Sequence, residues 1–130
     1  MIAVARHKSV RAGLGIDYRV AAIEALPFAE ATFDVVLSSL MMHHLPDDLK
    51  ALGLAEVRRT LKPGGRLLIM DMKGASGLLS HLSLAIMFHG HMDRGVQDLP
   101  SLIATAGFTD IESGETRFPP VGFVLGRVPV

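Results

Sequence analysis

The sequence contains no cysteine, which excludes both disulfide bonds and thiolate metal sites. A chain without disulfides is typical of a reducing compartment, so we expect a cytoplasmic location. Lysine and arginine together number 13, and so do aspartate and glutamate, which gives a formal net charge of zero. The overall charge therefore favours neither nucleic acid nor an anionic membrane as a partner.

Long apolar runs are also missing. The best candidate, residues 77–92, contains three histidines, and its uninterrupted apolar stretches are far shorter than the ~18 to 20 residues that a membrane span requires. The first 14 residues interleave basic and apolar side chains, unlike a secretory leader. We therefore expect no stable membrane insertion, and an amphipathic helix that stops at Gly13 or Gly15.

What the sequence does contain is a strand, helix, strand pattern in a single domain of 130 residues, 49% of them hydrophobic. Residues 18–23 and 32–40 have strand length, and the second run is apolar enough to predict burial on both faces in a parallel sheet. Pro46 opens a helix whose buried stripe includes Leu54 and Val57. Residues 62–65 end that helix, and residues 66–72 form the next buried strand.

The C-terminal third predicts a different arrangement. Residues 99–106 form a short helix, with Pro100 in its first turn and Gly107 at its C-terminal cap. Residues 108–113 and 121–128 follow as strands, and no helix fits between them. We therefore expect an antiparallel pair at one edge of the sheet.

Three segments, ALPFAEATFDVVLSSLMMHHL, LAEVRRTLKPGGRLLIMDM and LPSLIATAGFTDIE, carry a family resemblance. In order and spacing they resemble the later part of class I S-adenosylmethionine-dependent methyltransferases of type 11, near the ubiquinone and menaquinone biosynthesis enzymes. The resemblance covers nearly the whole chain. It implies an α/β fold, a partial Rossmann-like sheet that is mostly parallel with a C-terminal antiparallel hairpin.

Parts of the family pattern are absent from the chain. The resemblance starts at a helix, so the glycine-rich turn and the acidic residue that binds the ribose hydroxyls are expected before Met1. Gly13 and Gly15 follow a helix and cannot serve as that turn. The acidic residue that commonly contacts the adenine amine is replaced by Ala22. We therefore expect these 130 residues to bind S-adenosylmethionine weakly or not at all.

The resemblance also places the remaining candidate site residues. Ile23 and Glu24 border the adenine, and Ser38, Ser39 and Leu40 lie at the C-terminal end of the central strand, where open α/β sheets bind ligands. The cofactor candidates are completed by Met42, which faces the methionine and substrate side together with the catalytic candidates His43 and His44.

The implied activity is methyl transfer to a small, partly apolar acceptor. Displacement at a sulfonium needs alignment and exclusion of water, and a neutral imidazole of His43 or His44 can take a proton from the acceptor. Histidines at such a position more often stabilise the loop after a strand or fill the pocket wall. A zinc site of His81, His89 and His91 is a further possibility, but it lacks a fourth ligand, and we expect no metal.

A non-catalytic function is the alternative. A remnant without the cofactor, or a module that completes another subunit, is consistent with Ala22 and with the absent glycine turn. Without the family's first two strands, residues 18–23 either pair directly with residues 32–40 or leave an exposed edge that favours homo-oligomers.

Overall fold

The computed structural model describes residues 2–74 and 95–130. Its helices are α1 (Ile2–Arg11), α2 (Asp47–Thr60) and α3 (Leu99–Thr105), and its strands are β1 (Phe33–Ser39), β2 (Leu61–Met72), β3 (Thr109–Glu115) and β4 (Val121–Arg127). Two 3₁₀ turns, Met42–His44 and Val96–Asp98, connect them. The segment of residues 77–92, which contains His81, His89 and His91, lies outside the described residues.

The four described strands form one sheet in the order β1, β2, β4, β3. β1 and β2 are parallel, with Val36 beside Leu67 and Ser39 beside Met70, while β4 is antiparallel to both β2 and β3. The helix between β1 and β2 and the C-terminal antiparallel pair are as the sequence predicts. The described sheet is mixed, because one strand pair is parallel and two are antiparallel.

β1 is the outermost described strand on its side of the sheet. The prediction that it is buried on both faces is wrong, since Val35 is 50% exposed and Leu37 is 67% exposed. No described strand pairs with the outer edge of β1. Of the two expected alternatives, pairing of residues 18–23 with β1 or an exposed edge, the described residues show the exposed edge.

The strand predicted for residues 18–23 is wrong. This segment is irregular apart from one isolated bridge between Ala22 and Ala25. A strand needs a neighbour to pair its backbone groups, whereas the carbonyl of Tyr18 accepts a hydrogen bond from the side chain of Arg6 at 3.2 Å. The apolar sequence is therefore held by contacts from helices instead of by a sheet.

α2 covers the sheet with the predicted apolar stripe. Leu54 is 1% exposed and Val57 is 7% exposed. Gly53 lies so close to Ile23 that a Cβ at this position would be 2.7 Å from its Cγ1. α2 therefore fixes the irregular segment that contains Ile23 against the sheet.

The turn predicted at residues 62–65 lies inside β2, which begins at Leu61. Gly64 has φ +74°, which favours glycine, and its N–H donates to the carbonyl of Val128 at 3.0 Å. The pairing with β1 shifts register between Phe33 and Val35. β2 therefore begins directly after α2, without a separate loop. The predicted turn is a bulge within the first part of β2.

The C-terminal prediction is confirmed. α3 carries Pro100 in its first turn, and Gly107 after it has φ +87°. Ile103 of α3 is 0% exposed, as is Ile69 of β2. The core therefore lies between the helices and β2 and β4, with β1 at its margin.

Candidate functional site

The carboxyl ends of the two parallel strands lie side by side and hold the candidate site. β1 ends beside Met70, and Leu40, at φ +53°, turns the chain away from the sheet. The N–H of Leu40 donates to the carbonyl of Met70 at 2.8 Å. This turn brings the 3₁₀ segment Met42–His44 over the end of β2.

The central contact joins His43 to Asp71, which lie 28 positions apart. Nδ1 of the imidazole makes a hydrogen bond to Oδ1 of the carboxylate. The backbone N–H of His43 donates to Oδ2 at 3.1 Å, and that of Met72 donates to Oδ1 at 2.7 Å. The side chain of Asp71 is 1% exposed and that of His43 is 14% exposed. The carboxylate is therefore enclosed by donors, while the ring reaches the surface.

The two adjacent histidines differ in environment. The His44 ring lies against the His43 ring, with centroids 3.9 Å apart, but His44 is exposed. No described carboxylate lies within hydrogen-bonding distance of the His44 ring. The geometry therefore distinguishes His43 as the histidine with a fixed orientation.

Lys50 of α2 lies near the same strand ends and was not singled out from the sequence. Its side chain is only 7% exposed, and Nζ donates to Asp47 at 3.1 Å. Together with Met42, His43 and Asp71 it lines a cavity of about 10 Å³. A lysine on a helix is normally predicted to be exposed to solvent, so the sequence did not predict that Lys50 is buried.

A larger cavity of about 490 Å³ lies against β1 and the segment before it. Its lining is mainly apolar and includes three of the predicted cofactor residues, Ile23, Ser38 and Ser39. Cavities of roughly 300 to 1,000 Å³ with few polar groups are typical of small-molecule sites. The large cavity is therefore of sufficient size for a nucleoside-sized ligand.

Ser38 has one unusual property. Its Oγ is buried, and no described residue makes a hydrogen bond with it. Buried hydroxyl groups in folded proteins are nearly always paired, so an unpaired one needs an explanation. Since Ser38 lines the large cavity, a ligand with a hydrogen-bonding group is one such explanation.

The structure places the other cofactor candidates elsewhere. Glu24 and Leu40 are exposed and do not line the large cavity. Met42 is 3% exposed and belongs to the core beside the His43 contact. The predicted set is thus divided between the large cavity and the end of β2.

An ion pair fixes one wall of the large cavity. Glu56 of α2 has its pKa lowered to about 2 by the Arg59 guanidinium and by the N–H of Leu26, which donates to Oε2 at 3.0 Å. Arg59 also donates to the carbonyls of Phe28 and Leu26, at 2.9 and 3.1 Å. Both Leu26 and Phe28 line the cavity, so this pair holds an irregular segment in place.

Within residues 2–74 and 95–130, histidine, aspartate and glutamate form no cluster that could hold a metal ion. In the same part of the chain, no helix has the length and hydropathy needed to cross a membrane. His81, His89 and His91 lie outside these residues.

Comparisons with known proteins give a consistent picture. A methyltransferase domain family model matches residues 1–69. An uncharacterized protein of Escherichia coli, YafE, is 36% identical over 114 residues, covering 86% of this chain and 47% of its own length. A demethylmenaquinone methyltransferase of Thermus thermophilus is 40% identical over 83 residues, covering 61% of this chain and 37% of its own length. The chain thus spans less than half of these relatives.

Solved structures agree on the fold. An S-adenosylmethionine-dependent methyltransferase, SibL, solved in its apo form, aligns over 99% of this chain and 41% of its own, with TM-score 0.79 and 23% identity. The PH0226 protein of Pyrococcus horikoshii aligns over 95% of this chain and 65% of its own, with TM-score 0.77 and 18% identity. These likenesses confirm the predicted α/β, Rossmann-like architecture.

Proposed function

Since the chain belongs to the class I S-adenosylmethionine-dependent methyltransferases, through the family matched by residues 1–69, we propose that it transfers a methyl group from S-adenosylmethionine to a small-molecule acceptor. The observation that carries the proposal is the fixed His43 at the carboxyl edge of β1 and β2. This edge is where open α/β sheets bind ligands.

The residues of the large cavity fit the cofactor in part. S-adenosylmethionine supplies an electrophilic methyl group on a sulfonium. The apolar lining suits a flat adenine ring, and the unpaired Oγ of Ser38 can bond to a polar group of a nucleoside. No charged side chain lines this cavity among the described residues, so the amino-acid portion finds no ion partner there.

The chain's own residues have three tasks in the proposed reaction. The walls of the cavity position the reactants, which supports in-line displacement. Leu40 turns the chain so that the histidines lie over the strand ends. His43 is then placed to accept a proton from the methyl acceptor.

The non-catalytic alternative is not favoured by the family match. It nevertheless makes a distinct prediction, namely that the folded chain does not bind S-adenosylmethionine. We propose calorimetric titration of the 130-residue chain, in which the expected result is weak binding or none. Affinity at low micromolar concentrations would contradict the weak-binding prediction, and no binding by folded protein would support the alternative.

We also propose that the outer edge of β1 pairs with the same edge of a second copy. Antiparallel pairing centred on Val36 would set Asp34 opposite Ser38, so no like charges would meet. Val35 of one copy would then lie opposite Leu37 of the other. Because both residues also line the large cavity, this pairing would compete with a ligand there. The cytoplasmic location expected from the absence of cysteine stays a prediction.

A further inference from the structure

The tautomer of His43, that is, which ring nitrogen carries the hydrogen, follows from the donors that surround Asp71. Oδ2 accepts from the N–H of His43, and Oδ1 accepts from the N–H of Met72. An ionised carboxylate can only accept hydrogen bonds, so toward the carboxylate of Asp71 the imidazole Nδ1 that contacts Oδ1 is the donor. A neutral His43 therefore carries its hydrogen on Nδ1.

This arrangement leaves the other ring nitrogen able to accept a proton. In the Nδ1–H form of imidazole, the lone pair in the ring plane lies on Nε2. No described residue makes a hydrogen bond with Nε2 of His43. The ring is 14% exposed, so it is not sealed in the core.

On the basis of the proposed function, we propose that Asp71 is a positioning residue that fixes His43 as the Nδ1–H form, and that the methyl acceptor is a hydroxyl or a weakly acidic carbon. The acceptor atom bonds to the methyl carbon while the carbon–sulfur bond breaks and leaves its electron pair on sulfur. The acceptor's proton passes to Nε2. The resulting imidazolium is balanced by the carboxylate of Asp71.

A purely structural role for the same contact makes different predictions. Asp71 ties the loop after β1 to the end of β2, and a simple tie would affect folding stability without regard to the acceptor's chemistry. A positioning role requires that the tautomer of His43 depend on Asp71. It also requires that the methylation rate depend on His43 only for acceptors that lose a proton.

The first test is nitrogen-15 NMR of the His43 ring in the 130-residue chain, which needs no cofactor. We expect the Nδ1–H form in the native protein. In Asp71→Asn, the amide can donate to Nδ1, which favours the Nε2–H form. Asp34→Asn, an exposed carboxylate on β1, is the matched control and should leave the Nδ1–H form unchanged. An Nε2–H form in the native protein, or no change in Asp71→Asn, overturns the positioning role.

The second test compares two aromatic probes of similar size, 1-naphthol and isoquinoline, as acceptors of radiolabelled methyl from S-adenosylmethionine. Naphthol must lose a proton, whereas the isoquinoline nitrogen offers a free lone pair. Since general bases contribute roughly 10² to 10⁴-fold, His43→Gln and Asp71→Asn should each slow naphthol methylation about 100-fold. Isoquinoline methylation should change less than about twofold by the same reasoning, and His7→Gln serves as a matched histidine control.

The outcomes separate this inference from the proposed function. Equal losses with both probes, or no loss with naphthol, refute the proton-acceptor role. If the native chain methylates neither probe, the proposed function and the acceptor class both fail for this chain. The NMR result then still decides whether Asp71 sets the tautomer of His43.

Discussion

Replacing Ser38 with alanine should stabilise the protein, although Ser38 lies within the candidate site. Its Oγ is buried without a described hydrogen-bonding partner. An unsatisfied buried polar group costs ~1 to 3 kcal/mol. Alanine removes that cost and leaves only a small void, so we expect the free energy of unfolding to rise by about 1 kcal/mol.

This magnitude can be measured by thermal unfolding. For a domain of this size, 1 kcal/mol corresponds to an increase in Tm of about 3 to 5 °C. Ser39→Ala is the matched control, because Ser39 is the exposed neighbour and its substitution should change stability by less than about 0.5 kcal/mol. A second control, Thr60→Val, should destabilise by about 1 kcal/mol, because Thr60 is buried and its hydroxyl donates to the carbonyl of Val57 at 3.0 Å.

Ligand binding should favour serine over alanine at position 38, the opposite of the effect on stability. If a bound molecule pairs with Oγ of Ser38, the alanine variant loses a hydrogen bond of ~0.5 to 1.5 kcal/mol, which weakens binding by about 2- to 12-fold. Titration of both proteins with S-adenosylmethionine measures this ratio. A Ser38→Ala protein that is less stable than the native chain would refute the reasoning, because it would show that the hydroxyl already has a partner.

Three further predictions concern stability and assembly. Because the pKa of Glu56 is lowered to about 2, its stabilising contribution is present above about pH 4.5 and is lost as the pH falls toward 2. The difference in free energy of unfolding between the native chain and Glu56→Gln, measured in urea, should shrink over that range, and a difference that does not depend on pH would contradict the prediction. Ile103→Ala, at a site with 0% exposure, should cost about 2 to 5 kcal/mol in the same assay, and a cost below 1 kcal/mol would argue against the described core. Leu37→Lys should weaken self-association about tenfold or more in sedimentation, and a native chain that stays monomeric at millimolar concentration would exclude the proposed edge pairing.

Local sequence signals predicted most of the elements near the site. Pro46 and the acidic residues after it mark the start of α2, and the apolar runs on either side mark β1 and β2. These signals depend only on near neighbours in the chain. Residues 18–23 have the same apolar character, yet they form no strand, because strand formation also requires a neighbour and none is supplied among the described residues.

The partner of His43 could have been found from topology but not from local pattern. Asp71 follows four apolar residues at the end of β2 and reads as an ordinary strand-end carboxylate. Parallel pairing of β1 with β2 places their carboxyl ends together, so a carboxylate ending one strand and a histidine following the other are expected to be close. The burial of Lys50 and the unpaired hydroxyl of Ser38 depend on packing in three dimensions, and no spacing in the sequence encodes them.

The contact between His43 and Asp71 also has a consequence for folding kinetics. The two residues are brought together only after the crossover through α2 has closed the parallel pair, a non-local step that is slow compared with helix formation. A chain in which β1 and α2 had formed without docking onto β2 would leave the imidazole in its solution mixture of tautomers. The ring hydrogen of His43 therefore reports, during refolding, the moment at which β1 and β2 come together.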